Sequence, residues 1–228
     1  VTVYDGVEPN PTFAQVHAGL KLAKENSCDA ILTFGGGSPI DTAKVISIAV
    51  TNTKTPEQLV GYFKAKNPGL PLFAVPTTAG TGSEVSLGAV ISDPVSHKKG
   101  FVAEPKTIPV AAALDPSVML GLPAPITAAT GVDALTHAVE AYISKLASDE
   151  SDAYAIASVK MIFQNLKEAY SNGSNIEARE SMALASCYAS LALNKALLGY
   201  VHGIAHQFGG YYNTPHGLAN AIVLPHVL

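Results

Sequence analysis

The sequence predicts an α/β part with a parallel sheet over residues 1–120, followed by an all-helical part over residues 121–228. Three observations carry this reading. Short apolar runs alternate with helical segments in the first half. Glycines, prolines and Asp-Pro pairs bound those runs. After about Leu120 the chain is rich in helix formers and poor in strand signals.

Taken in order, residues 11–26 form a helix with Phe13, Val16, Leu20 and Leu22 loosely on one face. Residues 29–34 are an apolar strand ending in three glycines, and residues 38–50 are a second helix. Residues 72–75 make a strand bounded by Pro71 and Pro76. Residues 85–91 and 110–114 read as further strands, each followed by an Asp-Pro turn (Asp93-Pro94, Asp115-Pro116). Strand–helix–strand spacing points to parallel strands with ligands at their carboxyl ends. Helices follow over 125–146, 151–171, 176–196 and 201–208. Pro123 and Pro125 mark the first entry, and Asn172-Gly173 closes the second helix.

Composition narrows the function classes. The 228 residues carry 14 Lys+Arg against 18 Asp+Glu, a net charge of −4, which leaves no basic footprint for phosphate backbones. Nucleic-acid binding is therefore not expected. The most apolar stretch, 110–132, is broken by Asp115, Pro116, Pro123 and Pro125, so no membrane span is expected. No secretory leader pattern is visible, and a cytoplasmic location is expected. Cys28 and Cys187 stand far apart, outside any metal or redox spacing.

Two loops offer ligand chemistry. In Phe34-Gly35-Gly36-Gly37-Ser38-Pro39-Ile40-Asp41, glycines allow a tight turn and close approach of a ligand. Ser38 is the expected N-cap, with Pro39 at the first helical position and Asp41 completing a capping-box-like pair. The free N–H groups of that helix would suit a pyrophosphate. A plain glycine-rich turn accounts for the same residues. The second loop, residues 76–86 (PTTAGTGSEVS), is dense in small hydroxyls and reads either as a surface turn or as a set of uncharged hydrogen bonds to a nucleotide.

Four of the seven histidines lie near the end: His202, His206, His216 and His226. Asp133 and His137 are i, i+4 on one helix, as are His202 and His206. Asp133, His137, His202 and His216 together would supply one oxygen and three nitrogens, a set that suits Fe²⁺ or Zn²⁺ better than Mg²⁺ or Ca²⁺. A single pair of this kind is more often an ordinary helix pair or cap than a metal site. His17 and His97 are expected at the surface, and His226 in a structural or pocket-lining place. Phe208, Tyr211 and Tyr212 fit either an apolar substrate wall or the core.

The strings GGGSPIDTAK (35–44), PTTAGTGSEVS (76–86), ATGVDALTHAVEAY (129–142) and VHGIAHQFGGYYNTPHGLANAIVLPHV (201–227) resemble the iron-containing (group III) alcohol dehydrogenases, a group that includes lactaldehyde reductase and butanol dehydrogenase. The resemblance implies a dehydroquinate synthase-like fold: a partial dinucleotide-binding domain over 1–120 and a partial helical metal-binding domain over 121–228, with part of the family's length missing at both ends. It implies Asp133, His137, His202 and His216 as ligands of Fe²⁺, or alternatively Zn²⁺. His206 would be a catalytic proton relay. Asn10, Gly36, Gly37, Ser38, Thr77, Thr78, Ser86, Lys99, Val118 and Gly121 would contact NAD(P). The implied reaction is hydride transfer between a small alcohol or aldehyde and nicotinamide, in a homodimer when full length. The alternatives are a same-scaffold metal/NAD enzyme without net redox, of the dehydroquinate synthase or transhydrogenase type, and an inactive fragment that keeps the metal pocket. A metal-dependent hydrolase would leave the 35–41 loop without a purpose.

Overall fold

The computed structural model describes residues 1–96, 98–212 and 214–228, so His97 and Asn213 lie outside the described residues. The chain divides into two compact units, one of Val1–Pro76 with Ser83–Ala113 and the other of Thr77–Gly82 with Leu114–Leu228.

The first unit runs α1 (Phe13–Glu25), β1 (Ile31–Gly35), α2 (Gly37–Thr51), β2 (Gly61–Tyr62), β3 (Leu72–Pro76), β4 (Gly88–Asp93), β5 (Lys98–Ala103) and β6 (Ala111–Ala112). Thr12 caps α1 in a reciprocal box with Gln15, which satisfies two otherwise orphaned N–H groups. Its apolar face buries Val16, Leu20 and Ala23 against Val45, Ile46 and Ile48 of α2 and Ile91 of β4. Strands β1, β3 and β6 form a parallel sheet, in that order, with Ile31 opposite Leu72 and Gly35 opposite Pro76. The expected parallel layer is thus present, but a second sheet, β2-β5-β4, is mixed, because β4 and β5 form an antiparallel hairpin.

The strand expected over 85–91 begins only at Gly88. The physical reason is Lys44, whose buried ammonium donates to Ser86 O, Ser86 Oγ and Gly88 O at 2.7–2.9 Å and folds the preceding residues into a turn. The start of α2 also differs from expectation. Gly36, not Ser38, is the N-cap, so Ser38 sits inside the first turn and Pro39 at its third position. Asp41 makes no capping box. Its carboxylate accepts from Ser83 Oγ at 2.5 Å and Val90 N–H at 2.8 Å, and so is unavailable to the helix end.

The second unit holds α3 (Ala124–Tyr142), α4 (Asp149–Ser171), α5 (Ile176–Ala196), α6 (Tyr200–Tyr212) and α7 (His216–Val227). Ser148 caps α4 with a box from Ser151, and Asn175 caps α5. The core of this unit is largely alanine: Ala134, Ala138 and Ala141 of α3 meet Ala155 of α4 and Ala185, Ala189 and Ala192 of α5. Such small side chains let the helix backbones come close, and an added methylene there would overpack the contact. The helix expected to reach 146 ends at Tyr142, where Ser144 Oγ donates to Ala196 O at 2.6 Å and accepts from Leu146 N–H, fixing a loop. Among the described residues no single helix is long and apolar enough to cross a membrane.

Candidate metal centre

Helix α3 sets the centre. Asp133, His137 and Glu140 recur at i, i+4 and i+7, one residue out of step with the alanine stripe that faces α4 and α5. One residue is about 100° of helix rotation, so the same helix can present alanines to the core and polar groups to α6 and α7. Helix α6 brings His202 and α7 brings His216. All of Asp133, His137 and His202 are buried, and His216 is partly so.

Asp133 Oδ1 is the focus. It lies 3.4 Å from His202 Nε2, 3.3 Å from His216 Nε2 and 3.9 Å from His137 Nε2. The ligand atoms of Asp133, His202 and His216 all fall within 4.8 Å of one another. Four ligands at the ~2.0–2.1 Å of first-row metal–nitrogen bonds stand roughly 3.3 Å apart at tetrahedral angles. The separations at Asp133 Oδ1 match that edge for His202 and His216. His137 stacks on His202 with ring centroids 4.5 Å apart, which keeps it beside the other three. Three imidazoles and one carboxylate make a donor set for a borderline cation, so the residues present fit Fe²⁺ or Zn²⁺.

Electrostatics agree with the geometry. Burial pushes the Asp133 carboxyl up, but the neighbouring His137 and His216 and hydrogen bonds from His202 and His216 outweigh it and hold it well below the usual carboxylate range. Burial pushes His137 down to about 4, leaving its ring neutral with a free lone pair. Burial also opposes charge on His202, yet hydrogen bonds and the charges of Asp133 and Glu140 raise it to about 9. A cation held at His202 Nε2 would replace the proton there.

Two residues at the centre carried no signal in the sequence reading. Asn220, fully buried on α7 one turn after His216, donates its amide to Asp133 Oδ1 at 2.7 Å and lies 3.2 Å from His202 Nε2. Glu140 accepts from His202 Nδ1 at 2.5 Å. Glu140 offered only its i+3 step from His137, which marks one helix face and no role. Asn220 offered only its i+4 step from His216.

The other expected residues fall as follows. His206 is half-buried on α6, with its ring 5.0 Å from that of His216 and 5.9 Å from that of His202. In the first unit, Gly36, Gly37 and Ser38 form the start of α2 at the carboxyl end of β1. Lys99 Nζ donates to Asn10 Oδ1 at 3.1 Å, which joins two of the expected residues. Ser86 is buried, with its hydroxyl engaged by Lys44 and Gly88. In the second unit, Thr77 and Thr78 are half-buried, Val118 packs on the helical core and Gly121 is exposed. His17 is exposed and pairs with Glu57, and His226 is exposed at the end of α7. Phe208, Tyr211 and Tyr212 are also exposed, so a core role for them fails.

A family described as iron-containing alcohol dehydrogenase matches residues 1–116, and its C-terminal counterpart, the Fe-containing alcohol dehydrogenase family, matches residues 127–228. The chain is 50% identical over 227 residues to a 1,3-propanediol dehydrogenase of Citrobacter freundii, covering 100% of this chain and 59% of that protein. It is similar to the crystal structure of a 1,3-propanediol oxidoreductase, with TM-score 0.96 and 49% identity over 100% of this chain and 59% of the other. It is similar also to a sulfoacetaldehyde reductase from Bifidobacterium kashiwanohense solved with NAD⁺, with TM-score 0.94 and 32% identity over 100% of this chain and 61% of the other. The chain thus spans about three-fifths of the length of these relatives. With both halves matched and the aspartate and histidines of α3, α6 and α7 converging, the chain belongs to the iron-containing alcohol dehydrogenase family.

Proposed function

We propose that this chain is the metal-binding and part of the cofactor-binding portion of an oxidoreductase that moves a hydride between a small alcohol or aldehyde and NAD(P). The observation that carries the reading is the convergence of Asp133, His202 and His216, with His137 alongside, in a chain of this family. A divalent cation held there, iron in the first instance, supplies Lewis acidity toward the substrate oxygen.

The chain's own residues do the rest. Asp133 supplies the negative charge and the imidazoles supply neutral donors, so a divalent ion keeps a net positive charge toward substrate. His206 stands next to His202 and His216 without joining the converging set, a position suited to passing the alcohol proton outward. The N–H groups at the start of α2, Gly36, Gly37 and Ser38, suit a dinucleotide pyrophosphate, because the helix end carries partial positive charge. Lys99, held by Asn10, adds a cation in the same unit, while Thr77, Thr78, Ser86, Val118 and Gly121 complete the proposed contacts. The C. freundii and B. kashiwanohense relatives, named for a short diol and a small aldehyde, support a small polar substrate.

The test is His216→Ala. Metal content after reconstitution should fall to background and turnover with it, while NAD(H) binding by titration stays within about twofold. Reduced nicotinamide is followed by its near-ultraviolet absorbance, which separates net redox from a cofactor regenerated in place. Full turnover by metal-stripped His216→Ala would sink the reading.

A further inference from the structure

Glu140 does two jobs with one carboxylate. Oε1 accepts from the backbone N–H of Val201 at 2.6 Å and, more loosely, from that of His202 at 3.4 Å, the orphan donors at the start of α6. Oε2 takes the side chain of the same helix, His202 Nδ1, at 2.5 Å. Both residues are buried, with Glu140 at 2% exposure and His202 at 1%, so water does not compete for these bonds. Gly199 is small for a related reason: a Cβ there would come within 2.7 Å of Glu140 Oε1.

With Nδ1–H donating to a carboxylate, Nε2 is the nitrogen left to bind a cation once the proton it carries is displaced. That is the nitrogen which faces Asp133 Oδ1. Among the described residues, His137 Nδ1 and His216 Nδ1 are buried with no hydrogen-bond partner. His202 is therefore a ring whose orientation is built in before a cation arrives, with Nδ1 on Glu140 and Nε2 turned toward Asp133.

Resting on the proposed metal role, we infer that Glu140 is the positioning residue of the centre: by capping α6 and holding His202 Nδ1–H it fixes His202 as the preformed ligand on which metal affinity depends. Carboxylates placed behind metal-bound histidines are commonly worth about 10- to 100-fold in affinity.

The test uses Zn²⁺ alone, titrated in competition with a chromophoric chelator, on the full chain and on Glu140→Gln and Glu140→Ala. Zinc affinity is expected to fall by about 10- to 100-fold in Glu140→Ala and by less in Glu140→Gln, whose amide oxygen can accept one bond but not both. A second readout begins with the wild-type chain itself. In the zinc-loaded wild-type chain, nitrogen-edited NMR should show one strongly downfield, slowly exchanging imidazole Nδ1–H, assigned to His202, that moves upfield in Glu140→Gln. Zinc binding by the wild type with unchanged affinity in both variants, or the absence of that protected proton, overturns the inference and leaves the metal site standing. Failure of the wild-type chain to bind zinc overturns both.

Discussion

His206 and His216 show how one residue type serves different ends at neighbouring positions. His216 Nε2 reaches Asp133 Oδ1, whereas the His206 ring, one turn along α6 from His202, stands off the converging set. His206→Ala is expected to keep full metal content while slowing turnover by about 100-fold, the lower range for general acid–base groups, and altering its pH profile. An unchanged profile would remove the relay role. At this scale the candidate ligands were legible in the sequence, because their types stand out by chemistry and by i, i+4 spacing. Glu140 and Asn220 were not, since a lone carboxylate or amide on a helix has many uses and only its partner tells which applies.

Helix α3 was readable as a helix from its composition, but its two faces were not. The stripe of Ala134, Ala138 and Ala141 and the stripe of Asp133, His137 and Glu140 differ by a single step, and only packing decides which one enters the core. Helix α7 is not legible in the sequence, because its near-continuous apolar residues and internal Pro225 give no clean period. Its place depends on Gly217, where a Cβ would collide with the Ala129 carbonyl of α3. Gly217→Ala is expected to destabilise the unit by about 1–3 kcal/mol, the usual cost of overpacking against backbone. By displacing the neighbouring His216 it should also weaken zinc binding. Chemical denaturation and chelator competition on the same sample check the two effects, and preserved affinity with lost stability would separate packing from ligand placement.

Across the whole molecule, stability carries a pH signature from a cluster remote in sequence from the histidines. Burial pushes Glu84 up to about 7 despite the lowering influence of Lys44, while burial pushes Lys44 down to about 8. The folded Glu84 holds its proton more tightly than the unfolded chain does near 4.5, so its stabilising contribution is full below that value and lost as pH rises through 7. Lys44 acts on the alkaline side. Between about 8 and 10.5 the unfolded chain binds the extra proton, and stability rises with pH there. Thermal midpoints are expected to decline from about pH 5 to about pH 7.5, and Glu84→Gln should flatten that decline. An equal decline in the variant would assign the slope to other groups. The sequence by itself determined the alternation of strands and helices in the first half, the helical second half and the candidate metal-ligating types, because periodicity, turn residues and ligand chemistry are local properties. The tertiary structure decided where strands begin, as when Lys44 pulls 83–86 into a turn, and which acid stands behind which histidine. Those choices belong to contacts between residues 42 and 62 positions apart in the chain, Lys44 with Ser86 and Glu140 with His202, whose energies no local window contains.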